Sequence, residues 1–120
     1  MGLLDDRVAF VTGAACGMGR NHALRLAREG ASIIGVDVAA DVSSHNGYPA
    51  ASEADLKKTA RLVEAEDRPC LMEIADVRNS DALEAVLADG VERFGGRVDV
   101  VVANAGISNW ARFWEMHELP

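Results

Sequence analysis

Residues 8–20 read VAFVTGAACGMGR, and the order of parts within them decides the fold. Residues 8–11 are an unbroken apolar run, which is how a strand buried on both faces of a parallel sheet reads. Gly13, Gly17 and Gly19 then punctuate a turn, and a helix opens at about Met18. A Cβ at such positions would keep the backbone from turning sharply. It would also hold a diphosphate away from the helix N-terminus, where unpaired N–H groups and the helix dipole attract anions. Glycine-rich turns also occur with no ligand, so the context matters. Here an apolar strand precedes the loop, a helix follows it, and Asp37 closes the next strand eighteen positions beyond Gly19, the arrangement a dinucleotide site requires.

Working outward, the first helix is expected over residues 18–29, with Gly19, Ala23, Leu26 and Ala27 on one face and Gly30 as its stop. Residues 32–38 form a second apolar strand ending around Asp37, so the chain opens with a βαβ unit. Residues 39–51, AADVSSHNGYPAA, show no periodicity and read as a long loop. The second helix starts at a capping box, Ser52 with Asp55, and runs to about Glu66 burying Leu56, Ala60 and Val63. A third strand covers residues 70–75 and ends in Asp76-Val77. The third helix, capped by Asn79 or Ser80, carries Leu83, Val86, Leu87, Val91 and Phe94 on one stripe and stops at Gly95 and Gly96. A fourth strand, residues 98–103, leads into Asn104-Ala105-Gly106, and an aromatic-rich stretch, ISNWARFWEMHELP, follows. Strands alternating with helices imply an α/β, Rossmann-type open parallel sheet with helices on both faces.

The 120 residues, 49% hydrophobic and 26% charged, suit one globular domain and exclude disordered or collagen-like classes. A net charge of −7 with scattered Lys and Arg argues against a nucleic-acid partner. No apolar run is long enough to span a membrane, and no basic region precedes the first strand. Cys16 and Cys70 are isolated thiols, expected to be small packing residues in a reducing, cytoplasmic setting. His22, His45 and His117 lack metal-ligand spacing, so no metal site is expected.

In a sheet of order 3-2-1-4, ligands sit beyond the carboxyl ends of the strands, where the order reverses between strands one and four. The glycine loop and Asn104-Ala105-Gly106 flank that crevice, with Asp37 and Asp76 along the same rim. A carboxylate at Asp37 can accept both hydroxyl protons of an adenosine ribose and would repel a 2′-phosphate, which favours NAD over NADP. Asp76 can accept from an adenine amino group or serve as an N-terminal helix charge, and Asn104 can hold backbone against a ribose or be a turn residue. Trp110, Phe113 and Trp114 can line a substrate pocket or, at helical spacing, belong to core or interface.

Thr12-Gly13-Ala14-Ala15-Cys16-Gly17-Met18-Gly19 resembles the Thr-Gly-x-x-x-Gly-x-Gly signature of the short-chain dehydrogenase/reductases. Asp76-Val77 and Asn104-Ala105-Gly106 are similar to that family's adenine and strand-four motifs in order and spacing. One departure is Ala103, where the family often carries a second Asn. The resemblance implies that Gly13, Cys16, Gly17, Met18, Gly19, Asp37, Val38, Asp76, Val77, Asn104, Ala105 and Gly106 contact NAD. It also implies hydride transfer that oxidises a secondary alcohol to a ketone, and a homo-oligomeric full-length enzyme. The family's catalytic Tyr, with Lys four residues later, has no counterpart here. Tyr48 is followed at that distance by Ser52, and Lys57 and Lys58 lie on the second helix. The resemblance places those groups beyond Pro120, so residues 1–120 are expected to be the dinucleotide-binding half of an incomplete fold, inactive alone. Its fourth strand would display Val100, Val101 and Val102 at a sheet edge, leaving the chain poorly stable or prone to associate. Residues 37–68 also resemble the mycofactocin-associated, carveol-dehydrogenase-like branch, which implies a slowly exchanging nicotinamide and a peptide-derived redox carrier. Two rivals stand beside this: a module that binds NAD without turnover, and an S-adenosylmethionine methyltransferase, which would leave Asn104-Ala105-Gly106 unexplained.

Overall fold

The computed structural model describes residues 2–41 and 49–106. His45, Tyr48, Trp110, Phe113, Trp114 and His117 lie outside the described residues, as does the middle of the long loop. The elements follow in the expected alternation: β1 (Val8–Thr12), α1 (Gly17–Arg28), β2 (Ser32–Asp37), α2 (Glu53–Glu64), β3 (Cys70–Ile74), α3 (Ser80–Arg93) and β4 (Val100–Val102). The four strands form one parallel sheet of order β3-β2-β1-β4. The carboxyl ends of all four strands therefore share one edge. Fold class and strand order match the sequence reading.

Alternation along the strands divides the core between two faces. Ala9, Val11 and Ile33 point to the face covered by α1 and α2, where Ala23, Ala27, Leu56 and Val63 meet them. Val8, Phe10, Ile34 and Val36 point to the other face, packed by Ala82, Leu83, Val86, Leu87 and Phe94 of α3 and its end. Fully burying a branched aliphatic side chain is worth about 1.5–3 kcal/mol, and Val8, Val11, Ile33, Ile34, Val36 and Val63 are all fully buried. The helix α3 comes close to the sheet at Gly90, where a Cβ would stand 2.4 Å from Cδ1 of Ile34.

Three expectations need correction, and one alternative is resolved. On α2 the buried residues are Leu56, Thr59 and Val63, so Thr59 takes the place foreseen for Ala60. The fourth strand is shorter than residues 98–103, and only Val101 is bare, at 65% exposure; Val100 and Val102 are half-buried against the α1 side of the core. Their neighbour points to the opposite face, as strand alternation demands. Cys16 is exposed rather than packed, and Cys70 is half-buried. The N-cap of α3 is Asn79, whose side chain accepts from the Ala82 N–H at 3.1 Å. Among the described residues no helix is long and apolar enough to cross a membrane.

Candidate functional site

The glycine loop leaves β1 and enters α1 at the shared rim. Gly13 and Gly17 adopt positive φ angles of 68° and 57°, a region that costs an L-residue roughly 1–2 kcal/mol. A Cβ on Gly17 would meet nothing within 4 Å, so the surface above it is open. Gly19 is the opposite case. A Cβ there would fall 1.8 Å from the Gly13 carbonyl oxygen, so only glycine lets the first turn of α1 close against the loop. The first turn of α1 carries no acidic side chain, and its N-cap, Cys16, makes no side-chain capping bond. Orphan N–H groups and the positive end of the helix dipole thus face outward with no competing carboxylate on α1.

Asp37 closes β2 half-buried beside this loop. Its Oδ2 accepts from the Ala15 N–H at 3.1 Å, and its Oδ1 from the Ala39 N–H at 2.9 Å. Ala39 itself takes a φ of 54°, the left-handed region a Cβ disfavours. The carboxylate is therefore fixed in direction. Two amide bonds use two of its roughly four lone-pair positions and leave the others for a ligand.

Asn104 braces the loop through its side chain and its backbone N–H. Its Nδ2 donates to the carbonyls of Thr12 at 3.2 Å and Gly13 at 3.4 Å, and the N–H groups of Asn104 and Ala105 both donate to Thr12 Oγ1 at 3.1 and 3.0 Å. The end of β4 is thereby tied to the end of β1. Ala105 also sits where a Cβ on Gly13 would go, its Cα being 3.0 Å from that position.

Asp76 pairs with Arg78. The guanidinium bonds both carboxylate oxygens, with Nη2 at 2.6 Å from Oδ2, and the Arg78 N–H reaches Oδ1 at 2.9 Å. These bonds, the side-chain ones foremost, hold the Asp76 carboxyl below its ordinary range. Met18 and Val77, 67% and 46% exposed, supply apolar surface on the same rim. Val38 follows Asp37 half-buried, and Gly106 is exposed at the end of β4.

Sequence reasoning missed two residues that shape the loop from beneath. Arg20 of α1 donates from Nε to Thr59 Oγ1 at 2.9 Å, and from Nη2 to the carbonyls of Ala15 at 2.6 Å and Asp55 at 2.8 Å. Thr59 is fully buried. A hydroxyl inside the apolar stripe of α2, between Leu56 and Val63, was the available signal. Cys70 lies away from the rim at the outer edge of the sheet, where burial, and then Glu64, pushes its thiol up to about 12.

The site thus combines an anion-receptive helix start, an oriented carboxylate eighteen residues beyond Gly19, and apolar rim surface, a set suited to a nucleotide diphosphate with a free ribose diol. The sequence profile described as short chain dehydrogenase matches residues 7–119. An uncharacterized NAD-dependent oxidoreductase of Mycobacterium tuberculosis is 54% identical over 115 residues, covering 96% of this chain and 42% of the relative. A (−)-trans-carveol dehydrogenase of Rhodococcus erythropolis is 44% identical, covering 91% of this chain and 39% of its own. The crystal structure of carveol dehydrogenase from Mycobacterium avium in complex with NAD superposes with a TM-score of 0.92 at 40% identity, over 98% of this chain and 42% of that one. This chain therefore spans about two fifths of the length of these relatives.

Proposed function

The chain belongs to the short-chain dehydrogenase family, and from that premise we propose that it holds NAD for an oxidoreductase that converts a secondary alcohol to a ketone. The observation that carries the reading is the Asp37 carboxylate, aimed by the amides of Ala15 and Ala39 beside the open glycine loop. Its remaining lone pairs suit the two hydroxyls of an adenosine ribose, and its charge opposes a 2′-phosphate. NAD-bound and NAD-dependent relatives support the same choice.

In this reading the space above Gly17 receives the diphosphate, with Gly13 and Gly19 keeping the loop and helix close enough to offer their amides. Cys16 and Met18 border it. Asp37 and Val38 take the ribose, Asp76 and Val77 the adenine, and Asn104, Ala105 and Gly106 bound the crevice toward the nicotinamide. When bound, the nicotinamide supplies the carbon that accepts hydride. The residues of this chain bind, orient and select, and none of them is assigned the acid or base. Resemblance of residues 37–68 to carveol-dehydrogenase-like enzymes supports a slowly exchanging cofactor and a peptide-derived electron acceptor. A homo-oligomeric, cytoplasmic enzyme with two free thiols belongs to the same proposal.

The test is calorimetric titration of NAD, NADP and S-adenosylmethionine into the protein. The proposal expects NAD to bind, NADP to bind far more weakly and S-adenosylmethionine not to compete. S-adenosylmethionine bound in preference to NAD, or absence of NAD binding, would overturn the proposal.

A further inference from the structure

The loop assigned to the diphosphate is shaped from its inner side by the half-buried Arg20 and the buried Thr59, which join it to α2. Arg20 donates to the carbonyl of Ala15 at 2.6 Å, to the carbonyl of Asp55 at 2.8 Å and to the hydroxyl of Thr59 at 2.9 Å. The Thr59 hydroxyl lies 3.2 Å from that same Ala15 carbonyl and 3.3 Å from that of Asp55. Thr59 is 0% exposed, so its hydroxyl has no water to turn to. The other peptide flanking Ala15 is fixed as well, its N–H bonding Asp37.

The chemical consequence follows from peptide geometry. The described residues contain no cis peptide bond, and in a trans peptide the N–H of the next residue points opposite to the carbonyl. A carbonyl of Ala15 drawn inward to Arg20 and Thr59 therefore turns the N–H of Cys16 outward, to the side where Cys16, Gly17 and Met18 are exposed. If that peptide rotated, a carbonyl oxygen would face the anion in place of a donor. We infer that Arg20 and Thr59 are positioning residues for the diphosphate: they pin the Ala15 carbonyl inward and so present the Cys16 N–H to the phosphates. This rests on the dinucleotide reading above and adds that α2, through Thr59 and the Asp55 carbonyl, is part of the phosphate site. Arginine suits the task because its planar fork serves two carbonyls and a hydroxyl at once, which a lysine ammonium on a flexible stem cannot hold in one plane.

The experiment compares wild type with Thr59→Val, Thr59→Ser and Arg20→Lys, measuring the affinity of NAD and of adenosine, which lacks phosphates. Near-ultraviolet circular dichroism checks each fold. Thr59→Val and Arg20→Lys should weaken NAD by about tenfold or more, as expected for loss of a buried bond to a group that orients a charge contact. Adenosine affinity should stay within about twofold, and Thr59→Ser, which keeps the hydroxyl, should bind NAD as wild type does. Folded variants that keep full NAD affinity overturn the inference, as do variants that lose NAD and adenosine equally, the pattern of a merely structural role. A second measurement needs no variant. In wild type, NAD should move the Cys16 amide proton resonance strongly downfield, and an unmoved Cys16 amide would overturn the inference even if Thr59→Val does not fold. Failure of wild type to bind NAD would instead strike the dinucleotide reading itself.

Discussion

Gly17 and Gly19 are two residues apart in one loop, yet alanine at each should fail in a different way. At Gly19 the new Cβ would stand 1.8 Å from the Gly13 carbonyl oxygen, 2.6 Å from its carbon and 2.8 Å from Asn104 Nδ2. Two of those atoms are backbone, and the third is a braced side chain. The loop must retreat by more than an ångström, and overpacking of this kind costs about 1–3 kcal/mol. For a domain of this size that is a fall in Tm of roughly 4 °C or more per kcal/mol. At Gly17 the Cβ meets nothing within 4 Å, so the protein itself bears only the strain of φ 57° in a non-glycine residue, about 1–2 kcal/mol. That Cβ nevertheless enters the space assigned to the diphosphate. Gly17→Ala should therefore be mildly destabilised and lose NAD affinity by about two orders of magnitude, as for a reacting or binding group displaced by an ångström. Gly19→Ala should lose both stability and affinity. The assay is thermal melting paired with calorimetric NAD titration for each variant. A Gly17→Ala protein that binds NAD like wild type would refute the reasoning, because the open space above Gly17 would then not be the phosphate site.

Two further outcomes follow from the cysteines and from the cap of α2. Cys16 is exposed while Cys70 is half-buried with its thiol pushed to about 12, so a thiol reagent at pH 8 should label Cys16 and leave Cys70 unmodified in the folded protein, as peptide mapping would show. The Asp55 carboxyl is held below its ordinary 3.8, first by the Ser52 N–H and then by the Ser52 hydroxyl. A depressed carboxyl contributes stability above that value and loses it as pH falls through the folded one. Asp55→Asn should thus be less stable than wild type at pH 7, with the gap closing on acidification below the ordinary value, read by urea melts across pH.

What could be read in advance follows from how local each signal is. The glycine loop and β1 were legible because a missing Cβ and an unbroken apolar run are properties of adjacent residues. The capping box at Ser52 and Asp55 formed as expected, with bonds of 3.2 and 2.9 Å between residues three apart. The grip of Arg20 on Thr59 spans 39 residues of sequence, and nothing local says where a guanidinium on α1 will find its acceptors. The same distance hid the phase of α2, since a stripe of Leu56, Ala60 and Val63 satisfies helical spacing about as well as Leu56, Thr59 and Val63. Val100 and Val102 turn inward while Val101 is bare, an alternation that a run with no polar residue does not reveal. The side-chain partners of Asn104, the carbonyls of Thr12 and Gly13, lie some ninety residues earlier and leave no local signal. By contrast, the Arg78 partner of Asp76 stands two residues away and was within reach of the sequence alone.

The account stands on the Asp37 carboxylate beside the open loop, and the most direct measurement is a calorimetric titration of NAD and NADP into wild type and Asp37→Ala. The account predicts that wild type prefers NAD by at least about tenfold, roughly 1.4 kcal/mol, and that Asp37→Ala weakens NAD while erasing that preference. Equal affinity for the two cofactors in wild type, or an Asp37→Ala protein that binds NAD unchanged, would contradict it.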